Sequence, residues 1–348
     1  MTKPPYRVPS MAEIEALPWN GYRVASTFSG CGGSCLGYRM AGYRVVYANE
    51  FIEEAQRTYK ANHPNSFLDT RDIRQVKPED VLERAGVDRG ELDLFDGSPP
   101  CSAFSTAGKR EAGWGKVKAY SDKAQRVDDL FFEYVRLIDG IRPKVFVAEN
   151  VSGLVKGTAK GYFKRILAAL REPGYRVTCR VLDAQWLGVP QMRQRTIFVG
   201  VRDDLGIEPA HPEPLPYRYS LAEALKGVIA QYDPNADISS YAIGKEWDRM
   251  AVPGTQSEKY FQLVRPSLHK PVPTITQRGG DRTVASVCHP TERRKFTELE
   301  LKRLSGFPDD FKLTGEFAQR WERIGRAVPP LMMARIAQTI ADKILSKL

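Results

Sequence analysis

In the segment Asp96-Gly97-Ser98-Pro99-Pro100-Cys101, a cysteine stands on a Pro-Pro turn directly after the apolar run Leu92-Asp93-Leu94-Phe95. A strand would deliver the thiol to a sheet edge, and two prolines of fixed φ stiffen the turn, which is how a nucleophile is held. An inert buried thiol is the commoner fate of any one cysteine, so Cys101 gains weight only from its company. Glu149 and Asn150 follow a second apolar run, Val145-Phe146-Val147-Ala148. An acid at the carboxyl end of a buried strand sits where α/β enzymes place ligands, and poor solvation there raises its pKa until it can hold a proton near neutrality. A capping or salt-bridged glutamate is the plainer alternative. Gln191-x-Arg193-x-Arg195 places three polar side chains at alternating positions of an extended segment, on one face. Two guanidinium forks converging on one site suit a carbonyl or a phosphate, and a solvated strand edge would look the same.

A fourth pattern, Phe28-x-Gly30-x-Gly32-Gly33 followed by Glu50, concerns binding. Glycines between a strand and a helix let backbone approach a ligand, and an acid ending the next strand can accept both ribose hydroxyls. An ordinary Gly-rich turn with a surface glutamate shares the pattern. The third glycine of the dinucleotide fingerprint is missing, so an adenosyl group without a pyrophosphate fits better than NAD.

These residues need a scaffold, and the spacing of apolar positions describes one. Tyr22–Phe28, Arg44–Ala48, residues 92–95, Val145–Ala148, Arg176–Leu182 and Thr196–Val201 read as strands. Cys35–Ala41, Phe51–Asn62, Val76–Ala85, Asp128–Ile138 and Tyr162–Leu170 read as helices between them. Strands alternating with helices predict an α/β fold with a doubly wound sheet. The pattern changes after Val201. Residues 203–294 are rich in Pro, Tyr and Gly with little periodicity, and order returns at Thr297–Leu304 and in the amphipathic helix Leu331–Leu345. Residues 1–20 read as an extension of low regularity.

Composition narrows the function class. The chain has 348 residues and a net charge of +10, which fits a polyanionic partner, since lysines and arginines at phosphates release counterions. No run is apolar enough to span a bilayer and no signal peptide is evident, so an intracellular, cytoplasmic protein without a membrane role is expected. The five cysteines are odd in number and scattered, which argues against a disulfide framework. Cys31 and Cys35 have a loosely metal-like spacing, but no second pair completes a site, so no metal is expected.

No one motif decides the function; their order does. With Leu304-Ser305-Gly306-Phe307-Pro308-Asp309-Asp310-Phe311 and Gly325-Arg326-Ala327-Val328-Pro329-Pro330 near the end, the chain resembles the DNA (cytosine-5) methyltransferases over most of residues 22–202 and 296–341. The resemblance implies a Rossmann-like sheet in a catalytic and cofactor-binding domain of residues 21–202 plus 318–348. A target-recognition domain with its hinge would occupy 203–317. It implies S-adenosylmethionine as cofactor, contacted by Phe28, Gly30, Gly32, Gly33 and Glu50, then by Phe51, Asp72, Ile73 and Leu130. Helix 331–345 would pack back near the glycine loop.

By the same resemblance, Cys101 attacks C6 of a cytosine flipped out of duplex DNA, and the C5 that becomes nucleophilic takes a one-carbon group from the sulfonium. Protonated Glu149 donates to N3 and holds the exocyclic amine, Arg193 and Arg195 bind O2, and Asn150 braces the Pro99-Pro100 turn. The segment 102–126 suits a covering loop, with DNA contacts from Ser102, Lys109, Arg110 and Lys116, and from Gln191 beyond it. The expected partner is double-stranded DNA, with a monomer as the expected state and a bacterial or phage origin. A cognate restriction endonuclease is compatible with such a chain. An RNA cytosine methylase and a non-catalytic DNA-binding protein remain the rival readings.

Two positions depart from the family pattern. Ser102 stands where the family usually has Gln, which touches a backbone or loop contact rather than the chemistry. Arg326 replaces the Asn of the usual Gly-Asn-Ala/Ser-Val turn, a fixed cation in place of a neutral amide, and a buried arginine needs an anionic partner. It could pair with a protein carboxylate or a DNA phosphate. It could read the carboxylate of carboxy-S-adenosylmethionine, which would give 5-carboxymethylcytosine. Or it could block the site.

Overall fold

The Val-, Tyr- and Phe-rich runs of the first two hundred residues pair into one sheet in a computed structural model that describes residues 3–100, 118–120, 123–125, 130–155 and 160–348. Its seven strands are β1 Arg23–Thr27, β2 Arg44–Asn49, β3 Phe67–Asp69, β4 Leu94–Gly97, β5 Val145–Val151, β6 Tyr175–Asp183 and β7 Gln194–Arg202, in the order β3-β2-β1-β4-β5-β7-β6. The first five in that order are parallel, and β7 runs antiparallel to β5. Helices α1 Gly33–Met40, α2 Glu53–Asn62, α3 Pro78–Ala85, α4 Leu130–Ile141 and α5 Lys160–Arg171 lie between the strands in sequence. This is the α/β fold that the alternation predicts, with the Rossmann-like sheet that the resemblance implies.

β4 and nearly all of β5 are buried on both faces, as crossover helices require of central parallel strands. The core packs aromatic on aromatic: Phe95 stacks on Tyr134 of α4 with centroids 5.1 Å apart, and Tyr134 meets Phe146 edge-on. Gly97 is needed at the end of β4, because a Cβ there would stand 2.4 Å from the Tyr134 ring. The tyrosine hydroxyl lies between the carbonyls of Val147, at 2.8 Å, and Phe95, at 3.1 Å, and its one proton bridges α4 to the end of the two strands.

The chain divides into two compact units. The larger comprises Leu17–Leu182, Gln194–Glu213 and Ala334–Leu348; the other comprises Met1–Ala16, Asp183–Arg193 and Pro214–Met333. These borders differ from the expected ones. The first residues are not an irregular extension: Ser10 and Glu13 form a capping box on the helix Met11–Glu15, and Met11 N donates to Asp310. The helix Phe317–Arg326 (α8, after α6 Ala242–Arg249 and α7 Glu298–Leu304) belongs with the smaller unit. Trp321 explains why, since its Nε1 donates to Thr276 O and its ring fills the space above Gly279 and Gly280. Elsewhere the smaller unit has short pairs such as Thr255–Gln256 with Val264–Arg265, around a core of Ile238, Ile243, Trp247, Met250, Leu263 and Cys288. The final helix, α9 Pro330–Lys343, returns to the larger unit, where Ala337 O accepts from Tyr43. No helix among the described residues is long and apolar enough to cross a membrane.

Candidate active site

Thr27 of β1 lies opposite Gly97 of β4, so the glycine loop and the Pro-Pro turn leave adjacent strands at the same end. Sheet order reverses between these strands, and an open α/β sheet binds ligands at such a place.

The glycine loop is shaped by positive φ at Phe28 (53°), Gly30 (57°) and Gly32 (90°). Gly32 is irreplaceable on two counts. Its φ is unfavourable for any side chain, and a Cβ would lie 2.1 Å from Nε2 of His63. A Cβ at Gly30 would meet no protein atom within 4 Å, so that face of the loop is open to a ligand. Glu50 is drawn to the loop as expected from its place after β2: Oε2 accepts from Gly30 N and Oε1 from Ile52 N, both at 2.7 Å. Gly33 opens α1, whose N-cap has no side-chain hydrogen bond. The open face, the helix N-terminus and the acid suit an adenosyl group.

His63 supports the loop from below. It stacks on Tyr59 at 4.4 Å, Arg39 Nη1 lies 3.2 Å from its Nδ1, and burial, with the arginine charge, lowers its pKa to about 3. The remaining expected cofactor contacts divide. Phe51 is half-buried, and Asp72 caps the turn Ile73–Gln75 and pairs with Arg74 at 3.1 Å. Ile73 and Leu130 are core residues, 3% and 1% exposed.

Cys101 lies outside the described residues, as do Ser102, Lys109, Arg110 and Lys116. The turn before the cysteine is held by Asn150, whose Nδ2 donates to Pro99 O at 3.1 Å. Next to it on β5, Glu149 pairs with Arg195 of β7, Nε to Oε1 at 2.7 Å, with both side chains nearly buried. Glu149 faces Ile197 and Arg195 faces Val151, so the two are diagonal neighbours on one face of the antiparallel pair. Burial lowers the pKa of Arg195, and the Glu149 carboxylate opposes that shift.

Arg193 and Gln191 depart from expectation. The Arg193 guanidinium is buried and donates to three carbonyls of the smaller unit: Nη1 to Ile275 at 3.0 Å, Nη2 to Gly325 at 2.9 Å and to Ala327 at 3.0 Å. It clamps the turn around Arg326, while Arg195 pairs with Glu149. The alternation rule fails because the chain passes from one unit to the other between Arg193 and Gln194. Gln191, expected at DNA, is 1% exposed. Its amide is used internally, Nε2 toward Leu304 O and Ser305 Oγ and Oε1 from Ile275 N.

Arg326 ends α8 and donates from Nε to Glu322 Oε1 at 2.7 Å, one turn back; Glu322 also pairs with Arg323 at 3.1 Å. The anionic partner that such a cation requires is therefore present within its own helix. Among the described residues no cluster of His, Cys, Asp or Glu has the makings of a metal site.

One residue of this region escaped the sequence reading. The strand before the Pro-Pro turn includes Asp96, which is 1% exposed. Ser26 Oγ donates to its Oδ2 at 2.9 Å and Tyr38 OH to its Oδ1 at 3.0 Å. Burial pushes its pKa up to about 7, against those two hydrogen bonds. The available signal was an acid between Phe95 and Gly97 in a strand too apolar to have a wet face.

The sequence profile of the C-5 cytosine-specific DNA methylases matches residues 22–342. The chain is 31% identical to the type II methyltransferase M.NgoPII of Neisseria gonorrhoeae, over 95% of this chain and 98% of that protein. It is 32% identical to the type II methyltransferase M.PspPI of Psychrobacter sp. (strain TA137), over 94% and 81%. Among solved structures, one described as a DNA modification methyltransferase encoded within an E. coli prophage superposes with a TM-score of 0.73 at 22% identity, covering 93% of this chain and all of that one. A DNMT2 of Spodoptera frugiperda gives 0.66 at 18% identity, covering 90% and 98%.

Proposed function

The chain belongs to the C-5 cytosine-specific DNA methylase family, and from that premise we propose that it alkylates C5 of a cytosine flipped out of duplex DNA, through a transient bond from Cys101 to C6. The observation that carries this reading is the Glu149–Arg195 pair beside the Asn150-braced Pro99-Pro100 turn, at the strand end next to the glycine loop. A base cannot present C6 to a thiol inside the duplex stack, so flipping is part of the reaction.

The roles follow from the chemistry. Charge builds on the ring as Cys101 adds, and a proton delivered to N3 by way of Glu149 would offset it. Arg195 orients that carboxyl and offers its remaining N–H groups to O2. Asn150 fixes the carbonyl of Pro99 and so the approach of the thiol. Arg193 acts at a distance, by holding the Gly325–Ala327 turn. Bound S-adenosylmethionine would supply an electrophilic carbon on sulfur; once C5 has taken that carbon, loss of the C5 proton to a base and departure of the Cys101 thiolate restore the ring. The glycine loop and Glu50 would hold its adenosyl part, with Gly30 leaving the space. By this reading the smaller unit selects the DNA, and the protein acts in the cytoplasm as a monomer, with or without a cognate endonuclease.

Methyl is the transferred group that the geometry favours. The Glu322 carboxylate gives Arg326 a counter-charge, so a carboxylate on the donor is not needed to neutralise it. Carboxymethyl transfer from carboxy-S-adenosylmethionine is the alternative that Arg326 raises. Nucleoside mass spectrometry of DNA incubated with the protein and both donors in competition separates them. 5-Methylcytosine alone supports the proposal, 5-carboxymethylcytosine replaces the transferred group, and an unmodified pool, with no adduct on DNA carrying 5-fluorocytosine, refutes both.

A further inference from the structure

The mechanism above leaves Asp96 without a task. It sits five residues before Cys101 in the chain, in the strand that carries the Pro-Pro turn. Through Ser26 it also reaches the glycine loop, because Ser29 Oγ donates to Ser26 Oγ at 3.1 Å. The groups that face it are Ser26 of β1, Tyr38 and Cys35 of α1, Tyr134 of α4 and, by its charge, Glu149 of β5. None of these is a cation, so nothing in that set neutralises an ionised Asp96. Burial accordingly holds its carboxyl near neutrality, at about 7.

Hydroxyl groups carry one proton each, and this gives the cluster a direction. When Asp96 is ionised it can only accept. Tyr38 and Ser26 then both donate to it, and Ser29 donates to Ser26, an arrangement with which the three distances are compatible. When Asp96 is neutral it brings a proton of its own. Donated to Ser26, that proton turns the Ser26 hydroxyl toward Ser29, and the Ser29 proton must then leave Ser26 for Cys35 Sγ at the start of α1 or for the glycine loop. Ser29 precedes Gly30, whose amide holds Glu50. Its backbone N also donates to Asn49 O at 3.1 Å, so Ser29 is anchored where β1 and β2 end.

We propose that Asp96 is a positioning residue for cofactor binding: its carboxyl, acting through the hydroxyls of Ser26 and Ser29, sets the glycine loop and makes affinity for the adenosyl ligand depend on the proton that Asp96 holds. The inference rests on the assignment of the glycine loop to S-adenosylmethionine. No covalent step is involved, only a proton taken from or returned to solvent.

S-Adenosylhomocysteine is the probe, titrated calorimetrically into the full chain between about pH 6 and about pH 8.5. The wild type should change its dissociation constant through that range by on the order of fivefold, the worth of one neutral hydrogen bond. Asp96→Asn, which cannot ionise, should give a flat profile. Ser29→Ala should also be flat while Asp96 keeps both direct partners, and it carries the test alone should Asp96→Asn not fold. A wild-type pH dependence retained in both variants overturns the proposal, and so does a flat wild-type profile with tight binding. No binding at any pH overturns the cofactor assignment together with the inference drawn from it.

Discussion

Arg193→Lys distinguishes a catalytic arginine from a structural one. The arginine donates three hydrogen bonds to carbonyls in a buried setting, joining Ile275 to both sides of Arg326. Lysine keeps the charge but lacks the planar fork, so an ammonium near the Nη2 position can serve Gly325 and Ala327 but leaves Ile275 O without a donor. A buried carbonyl deprived of its partner costs on the order of 1–3 kcal/mol, which puts the substitution at about 2 kcal/mol against the smaller unit. Trp321, donating to Thr276 O beside Ile275, is a local reporter. Urea unfolding followed by tryptophan fluorescence should therefore show the loss directly. Activity measured below the new transition should fall far less than removal of a base-contacting arginine would demand. A variant as stable as the wild type but inactive would refute the structural role and return Arg193 to the base.

The remaining predictions concern the larger unit. Asp96 has a folded pKa of about 7 against an ordinary 3.8, so its stabilising contribution is present in full below about pH 4 and lost as pH rises through 7, about 4 kcal/mol in all. His63 runs the other way, its folded value of about 3 against 6.5 adding stability as pH rises toward 6.5. The difference in unfolding free energy between wild type and Asp96→Asn isolates the first trend; a difference that does not change with pH would contradict it. Gly32→Ala should fold poorly or lose S-adenosylhomocysteine binding, since its Cβ would strike His63, and unchanged melting and binding would count against the loop geometry. Glu149→Gln should lower the transfer rate by about 10²- to 10⁴-fold while leaving S-adenosylhomocysteine affinity intact; equal activity would remove Glu149 from the mechanism.

Much of the sheet is legible because central parallel strands are apolar on both faces and the loops between them are marked by glycine and proline. The glycine loop and Glu50 come together for the reason the spacing suggests: β1 and β2 are neighbours, and a carboxylate at the end of one reaches the amides beyond the other. What fails is local rules applied across a break in tertiary context. Gln191, Arg193 and Arg195 alternate in sequence, yet the first two belong to one compact unit and the third to the other. Asp96 is invisible for a different reason, because an acid at the end of an apolar run looks like the start of a loop until its burial is known.

The division of the chain bears on how it is made. The smaller unit needs residues from its first segment through Met333, and the larger then needs Ala334–Leu348. During synthesis, at roughly 5–20 residues per second, the smaller unit lacks residues until Met333 is made and the larger until Ala334–Leu348 have followed. The nascent chain must keep strands β1 to β7 from pairing wrongly for tens of seconds, and a stop codon before position 334 would leave both units incomplete.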